Sequence, residues 1–565
     1  MKIHVFALGG LGENGKNMYC IDVDGALFIL DAGIKYPTSE LYGVDEIIPD
    51  YRILINRKES IKGFFMSHAH EDHIGALSHM LKELQAPVYA TNFTMELIKD
   101  NLIEKNYNLN QYKLITIDHN STIKFGDVKV TFFKTTHSIP ESVGIVIQTL
   151  DGSIIYTSDF TFDQSADINY QTDFQKINEI AERKVLLLMT ESISSEFSLD
   201  GRMNKRLDQE ITKVISTAQD RIIVSLFSSD LQKIQKVIDI ALKHDKRIAI
   251  IGRKAQRIVD IAIDLNYLTI PKDRLVTLRY IDDKNKNDDP DLVCLVTGDR
   301  HEPFYMLQRM VKKVDRLIHI NEDDTILVVA SPIPGTEKMA AKTLDTLYRT
   351  DARVHVIDKS YLTFSHATSD EIKMMIHLTK PKYIMPVIGE YRKLFTVREI
   401  AKSMGYDEDD VFLVDNGDLL KFDDGKPSTQ KNRYRHGDIL IDGSRLGDVN
   451  DIVIHDREML ADNGVFIIIA HIDPLEKKIV GDIEISMKGF LPTESYLEIK
   501  EDLTQLFKEK IITHFDHKYI NWNELKIQLR DEVNKFLFSK TKRRPITVPV
   551  LISTEQSEKD KNIQM

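Results

Sequence analysis

At 565 residues and 65.0 kDa the chain is too long for one hydrophobic core, so two to four folding units are expected. Hydrophobic residues make up 42% and charged residues 29%, which excludes an intrinsically disordered chain. The net charge of −12 excludes a globally attractive surface for a polyanion, although a cleft can be locally positive through cations and a few basic side chains.

The opening stretch, MKIHVFALGGLGENGK, is too briefly apolar for a secretory signal and is broken by glycines and charge. From residue 1 to about 205, β-branched runs (KIHVFALG, NMYCIDV, ALFILDAG, GFFMSHAH, SIIYTSDF, VLLLMTES) alternate with turns and read as strands. Apolar residues at helical spacing over 76–84 and 94–103 add helices, so an α/β layered domain is expected. Residues 206–357 repeat a strand–helix rhythm (IIVSLF, LQKIQKVIDIALK, RIAIIG, LVCLVTG, TILVVASP), the pattern of a doubly wound α/β unit. The stretch 352–420 returns to strands, and the polar DDGKPSTQKNRYRHGD reads as a linker. The tail, about 446–555, combines strands (DIVIH, VFIIIAHI, KIVGDIEIS) with helices around 496–515 and 522–538, a small α+β domain. Its run 465–470 falls far below the roughly 18 apolar residues of a membrane span. Cys20 and Cys294 sit inside apolar strand-like runs and are expected as buried reduced thiols, in keeping with a reducing cytoplasm.

The segment Ser67-His68-Ala69-His70-Glu71-Asp72-His73 follows an apolar strand and packs three imidazoles and a carboxylate into six residues. Alternate side chains of a strand-to-helix turn let His68 and His70 share one metal while Asp72 and His73 face a neighbouring one. Imidazole with carboxylate suits zinc or manganese. A solvated polar loop is the bland alternative, and the density of the cluster outweighs it. His137 and Asp159, both at strand ends, are further candidates: His137 to complete the first site, Asp159 to bridge the two. Asp31, after FIL, either orients a ligand from behind or caps a turn, and the sequence does not choose.

Taken in order, Asp31, HAHEDH, His137 and Asp159 resemble the metallo-β-lactamase superfamily. The further segments LGGLGENGKNMY, TTHSIPES, SDFTFDQ, ASPIPGTE, FSHATSDEIKMM, GEYRKL and TKRRP resemble ribonuclease J, a β-CASP nuclease family acting on RNA. The resemblance implies an αββα metallo-β-lactamase sandwich (1–205 and 358–425) interrupted by a β-CASP α/β domain (206–357), then a linker (426–445) and a C-terminal domain (446–565). It also implies a 5′-to-3′ exoribonuclease, with endonuclease cleavage in some members, serving mRNA decay and rRNA maturation. Up to two Zn2+ or Mn2+ ions per subunit would be held by His68, His70, Asp72, His73, His137 and Asp159, with water readied between them for in-line attack on phosphorus. Asp72 and His366 would take catalytic parts, His366 by stabilising or protonating the departing oxygen. Leu362, Thr363, Phe364, Ser365 and His366 match the segment that holds RNA phosphate, and Ser229 and Asp230 the β-CASP contact to substrate. The residues themselves also allow a plain helix N-cap at Ser365 or Thr368. Glu191 falls at an acidic motif position behind the ligands. A homo-oligomer, dimer or tetramer, and a hetero-oligomer with an active paralogue are the implied assemblies, with no membrane partner.

The departures from that family concentrate near substrate and second metal. Ile388, in MPVIGEY, stands where active members carry a metal-binding histidine, so the second site is expected to be weak. Asp299, Arg300 and His301 replace small neutral residues, Phe364-Ser365 replaces Ser-Gly, and Glu191-Ser192-Ile193 replaces Asp-Ser-Thr. The pattern resembles the second, catalytically weak paralogue of ribonuclease J. Two functions follow as expectations: a nuclease of reduced turnover, or a nearly inactive structural partner of an active paralogue. Hydrolysis of a small thioester or lactam is disfavoured by the inserted domain.

Overall fold

Runs such as MYCIDV and VLLLMT are buried at every residue, as expected of strands covered on both faces. The structure, a computed structural model, describes residues 1–553 apart from 38–40, 42, 164–165, 199–202, 278–288, 299–301, 333–335, 359–360, 362–364, 444, 447–450 and 516–520. Two units are distinguished: Met1–Tyr36 with Glu46–Ile439, and Pro37–Asp45 with Leu440–Met565.

In the first unit an eight-stranded sheet runs in the order Lys426–Gln430, Leu419–Asp423, Lys2–Gly9, Met18–Val23, Ala26–Leu30, Ile61–Phe65, Val88–Thr91, Leu114–Ile117. A six-stranded sheet runs Tyr383–Pro386, Val185–Thr190, Ser153–Tyr156, Val143–Gln148, Val128–Lys134, Thr122–Phe125. Val5, Tyr19, Phe28 and Phe65 of the first sheet share one apolar cluster with Phe132, Ile145, Tyr156 and Met189 of the second. Each such side chain contributes about 1.5–3 kcal/mol on burial. Helices Phe174–Ala181, Ser369–Thr379 and Tyr391–Ser403 cover the other face of the six-stranded sheet through Phe133, Val146, Ile155 and Leu188. Asn92–Glu104 packs on strands Val88–Thr91 and Leu114–Ile117 of the eight-stranded sheet, completing a helix–sheet–sheet–helix sandwich.

A third sheet, Leu275–Val276, Arg247–Ile251, Leu292–Gly298, Ile222–Phe227, Thr325–Val328, Arg353–Val356, pairs in parallel throughout. Parallel strands need covered crossovers, and helices lie on both faces: Leu231–Lys243 and Arg253–Asp264 on one, Glu302–Val311 and Glu337–Leu347 on the other. This α/β layer lies in the chain between Val185–Thr190 and Tyr383–Pro386, which are nevertheless direct neighbours in register, Leu187 opposite Tyr383 and Thr190 opposite Pro386. It is an insertion into the sandwich. Cys20 and Cys294 are free and buried, and burial pushes both thiols up, Cys294 to about 12.

In the second unit, strand Val465–Asp473 pairs antiparallel with Lys478–Lys488 and parallel with Ile546–Ser553. Its alternating pattern buries Phe466, Ile468, Ala470 and Ile472 against helices Thr493–Phe515 and Trp522–Thr541, where Leu525, Leu529, Val533 and Leu537 form the inner stripe.

Three sequence expectations are corrected. DIVIH, read as a strand, opens the helix Asp451–Asn463. A short β-branched run carries no period of its own, and the helix-favouring DREMLAD that follows decides it. The stretch 352–420, read as returning to strands, contains the helices Ser369–Thr379 and Tyr391–Ser403. Within the stretch read as a linker, Lys426–Gln430 forms an edge strand on Leu419–Asp423 despite its polarity, because an edge strand buries little. Among the described residues no helix is long and apolar enough to cross a membrane.

Candidate metal centre

Parallel pairing sets the site. Strands Ala26–Leu30 and Ile61–Phe65 run in parallel, so Asp31 and the loop from Ser67 to His73 leave the same edge of the first sheet. Strands Ser153–Tyr156, Val185–Thr190 and Tyr383–Pro386 are likewise parallel, so Asp159, Glu191 and Ile388 leave one edge of the second. Ligand sites form outside such carboxyl ends. The Ser67–His73 loop sits against residues 31–34 because Gly33 has no side chain: a Cβ there would lie 1.6 Å from the Asp72 carbonyl oxygen.

Three imidazole nitrogens converge. His68 Nε2 lies 3.1 Å from His70 Nδ1, and His137 Nε2 lies 3.0 Å from that same atom. Asp159 Oδ2 is 3.6 Å from His68 Nε2 and 3.7 Å from His137 Nε2. Hydrogen bonds on the far side of each ring fix which nitrogen is bare. His70 Nε2 donates to the Ser229 carbonyl at 3.3 Å, His137 Nδ1 to the Ser365 carbonyl at 2.7 Å, and His68 Nδ1 to Ser67 Oγ at 3.0 Å. Three lone pairs therefore face one another, a repulsive arrangement that a cation relieves.

Among the described residues neither carboxylate oxygen of buried Asp159 has a hydrogen-bond partner, although buried carboxylates are almost always satisfied. Ligand atoms at about 2.0–2.1 Å around a tetrahedral zinc lie roughly 3.3 Å apart, close to these separations. Burial and neighbouring imidazoles push His68 and His137 well below the ordinary histidine range, and burial lowers His70 too, which keeps them in the neutral form that binds metal. The donor set fits a divalent cation.

A second cluster adjoins it. His73 Nε2 is 3.3 Å from Asp159 Oδ2 and 3.6 Å from Asp72 Oδ2, and its Nδ1 donates to Asp31 Oδ2 at 2.7 Å. Asp31 also accepts from Ser67 N at 2.8 Å, Ser67 Oγ at 2.8 Å and Tyr156 Oη at 2.8 Å. The two readings of Asp31 thus resolve: it orients His73 and ties the metal loop to both sheets. Burial opposes a charge on His73, but Asp72, Asp159 and Asp31 outweigh it and lift the imidazole well above its ordinary value. Burial likewise opposes charge on Asp159, yet His366 and His73 hold it well below the carboxylate range.

Glu191 is fully buried, and its Oε1 accepts from Phe160 N at 2.7 Å and Ala367 N at 3.1 Å. Its Oε2 receives His366 Nδ1 at 3.0 Å. Burial lifts Glu191 above the carboxylate range; burial opposes charge on His366, but Glu191 and Asp159 outweigh it and raise the imidazole. The His366 side chain is 25% exposed, enough to meet a solute, whereas His68, His73, His137 and Asp159 beside it are buried. The ligand atoms of His68, His70, His137 and Asp159 lie within 4.8 Å of one another, as do those of Asp72, His73 and Asp159, and of Asp159, Glu191 and His366.

The remaining expected residues fall as follows. Ser229 contributes its carbonyl to His70, and Asp230 caps helix Leu231–Lys243 by accepting from Lys233 N at 3.1 Å. Of the two cap candidates before Ser369–Thr379, Thr368 takes that place in a reciprocal capping box with Glu371, while Ser365 supplies the carbonyl to His137. Leu362, Thr363 and Phe364, with Asp299, Arg300 and His301, lie outside the described residues. Ile388 is fully buried with φ +52°, and its N–H donates to Tyr19 Oη at 3.1 Å. A β-branched residue in the left-handed region carries about 1–3 kcal/mol of strain. Sequence reading passed over Asn17, Ser67, Tyr156 and Ser158, whose polar atoms line the same pocket or its support. The motif LGGLGENGKNMY contained Asn17, but nothing in its spacing linked it to the histidines.

Comparison with known proteins bears on this pocket and on the whole chain. Family models match in three places: a beta-lactamase superfamily domain over residues 46–174, the ribonuclease J beta-CASP domain over 219–347, and the ribonuclease J C-terminal domain over 452–554. Ribonuclease J 2 of Staphylococcus aureus (strain MRSA252) is 34% identical over 549 residues, 97% of this chain and 98% of that protein. Ribonuclease J 2 of Staphylococcus epidermidis (strain ATCC 35984) is also 34% identical over 97% of this chain and 98% of its own. A crystal structure of a protein of unknown function from Enterococcus faecalis V583 superposes with a TM-score of 0.51 at 16% identity, over 75% of this chain and 100% of that one, a likeness of fold. The fold is a metallo-β-lactamase sandwich with a β-CASP insertion and a C-terminal α+β domain. Similarity of 34% over 97% of this chain and 98% of that protein reflects common descent of the whole chain, which belongs to the ribonuclease J family.

Proposed function

We propose that this chain is a metal-dependent ribonuclease that degrades RNA from the 5′ end and also cuts internally, in mRNA decay and rRNA maturation in the cytoplasm. The observation that carries this reading is the ring of three bare imidazole nitrogens around the carboxylate of Asp159, which has no hydrogen-bond partner among the described residues. Bound Zn2+ or Mn2+ supplies Lewis-acid polarisation and an activated water at neutral pH. His68, His70, His137 and Asp159 hold the first ion; Asp72, His73 and Asp159 belong to the second. His366, hydrogen-bonded to Glu191 and partly exposed, holds a proton at Nδ1 and presents its other face to the departing oxygen. The segment 362–366, with Ser229 and Asp230, receives the RNA phosphates. We assign the metallo-β-lactamase domain to 1–205 and 358–425, the β-CASP domain to 206–357, the linker to 426–445 and the C-terminal domain, through which the chain self-associates, to 446–565.

One observation favours a second reading. Ile388 places a hydrocarbon side chain, in a strained backbone, where a donor to the second ion is needed, so turnover is reduced and the chain acts as a structural partner of an active paralogue. The test is a matched assay of 5′-monophosphorylated RNA by wild type, Asp72→Ala and Ile388→His, with metal content measured on each. A strong rise in turnover in Ile388→His is the expected outcome. Ordinary wild-type turnover that this change leaves alone removes the basis for the structural reading, and activity that survives Asp72→Ala removes the pocket from the chemistry.

A further inference from the structure

A run of uncompensated cations closes the terminal helix of the second unit. From 533 to 554 the chain carries Lys535, Lys540, Lys542, Arg543 and Arg544 and no acidic residue, in a protein whose net charge is −12. Lys540 pairs with Asp502 at 3.4 Å, and Arg543 donates to the Phe490 carbonyl at 2.9 Å. Among the described residues the side chains of Lys542 and Arg544 have neither a hydrogen-bond partner nor a carboxylate partner.

The backbone gathers these cations on an aromatic ring. Helix Trp522–Thr541 stops at Lys542, which turns left-handed with φ +59° while its N–H donates to the Phe538 carbonyl at 2.9 Å. The chain therefore doubles back over the last turn: Arg544 Cζ lies 4.5 Å, and Lys542 Nζ 5.7 Å, from the centre of the Phe538 ring. Arg544 N donates to Asn463 Oδ1 at 3.2 Å, which fixes the far side of the turn. Phe538 is 38% exposed, and Lys542, Arg543 and Arg544 are exposed around it. Val465 has Lys488 on one side and Ile546 on the other, so a further cation flanks this end of the sheet. Cations near a helix C-terminus ordinarily offset its partial negative charge. Here the Leu537 and Phe538 carbonyls are served by Thr541 Oγ1 and Lys542 N instead, which leaves the charged groups of Lys542 and Arg544 to face outward.

An exposed ring flanked by free cations suits single-stranded nucleic acid: bases stack on the ring or on a guanidinium plane, and phosphates meet the charges. A duplex keeps its bases covered and gains only the charge. An anionic membrane would need a broad apolar face beside the cations, whereas Phe538 is enclosed by them. We propose that Phe538, Lys542, Arg543 and Arg544 form an accessory site for single-stranded RNA, which holds a stretch of the substrate apart from the one at the metal pocket. The inference rests on the ribonuclease reading and adds to it a second foothold. That foothold is indifferent to sequence, because stacking and phosphate contacts do not read base edges.

The full chain, kept in chelator so that RNA stays intact, is titrated with a fluorescent oligouridylate of about 40 nucleotides, ample for a site of roughly 4–16. Anisotropy is followed over a series of salt concentrations. The double variant Lys542→Ala/Arg544→Ala is expected to bind about tenfold or more weakly at about 0.1 M salt, and its salt slope to fall by about 1.4, two phosphate contacts at about 0.7 each. Phe538→Leu is expected to weaken binding about fivefold with the slope unchanged, because stacking is lost and charge is kept. Lys526→Ala, which removes a cation near the other end of the same helix, is expected to bind as wild type does. Equal binding by wild type and the double variant overturns the assignment, as does a loss just as large in Lys526→Ala, which would make net charge the whole cause. Full affinity in Phe538→Leu overturns it too. If Phe538→Leu does not fold, the two charge variants still decide it. Anionic vesicles bound by wild type and not by the double variant, with RNA binding equal in both, give the patch to a membrane and overturn the RNA site. A wild type with no affinity for RNA overturns the ribonuclease reading itself, and this inference with it.

Discussion

Asp31 gathers more of the pocket than any ligand does, through four hydrogen bonds from Ser67 N, Ser67 Oγ, Tyr156 Oη and His73 Nδ1. Asp31→Ala leaves those donors buried without an acceptor, at about 1–3 kcal/mol each, and frees His73 to turn. Metal affinity is expected to fall about 10–100-fold, the usual effect of removing an orienting partner, measured by competition against a chelating dye. An unchanged affinity would make Asp31 a purely structural acid. At this scale the histidine cluster was legible in HAHEDH, because dense imidazole and carboxylate have few other uses. The groups that decide which nitrogen is bare were not: the carbonyls of Ser229 and Ser365 are backbone atoms, and no residue type announces them. Asn17 escaped for a related reason, since an amide hydrogen-bonds almost anywhere.

Among the elements, the helix Ser369–Thr379 ties the partly exposed His366 to the sandwich. Its N-cap Thr368 shares a capping box with Glu371, whose other oxygen accepts from Phe162 N at 2.7 Å, and Ala367 N reaches Glu191. Thr368→Ala is expected to cost about 1 kcal/mol of stability and to lower RNA turnover more than RNA affinity, because it loosens His366 while leaving the ion ligands in place. Chemical denaturation and steady-state kinetics check the two parts, and a change in affinity alone would contradict the role. Elements with a sustained period, such as LQKIQKVIDIALK, were readable in the sequence, and so was the strand–helix rhythm of a doubly wound unit. DIVIH was not, because five β-branched and polar residues suit either state until the helix formers behind them are counted.

For the whole molecule, the pocket joins separate layers: His68, His70, Asp72 and His73 come from the edge of one sheet, His137 and Asp159 from the other. A cation there crosslinks the sandwich, and its removal leaves lone pairs and a carboxylate facing one another. Saturation at about 100 times Kd adds about 2.7 kcal/mol, so treatment with a chelator is expected to lower the melting midpoint by about 3–5 °C, reversibly on adding Zn2+. A midpoint indifferent to metal would mean that the pocket binds none. The second α/β unit was legible as a strand–helix rhythm, but its insertion came only from the family resemblance, since the pairing of strand Tyr383–Pro386 beside Val185–Thr190 across such a distance leaves no local mark.

The two carbonyls that orient His70 and His137 come from residues 229 and 365, long after the imidazoles themselves in chain order. A chain that ended at Asp159 would already carry the candidate donors His68, His70, Asp72, His73, His137 and Asp159, yet without those carbonyls the rings of His70 and His137 would be free to present either tautomer. The orientation of these two rings therefore depends on the inserted layer and on the segment that crosses back to the sandwich.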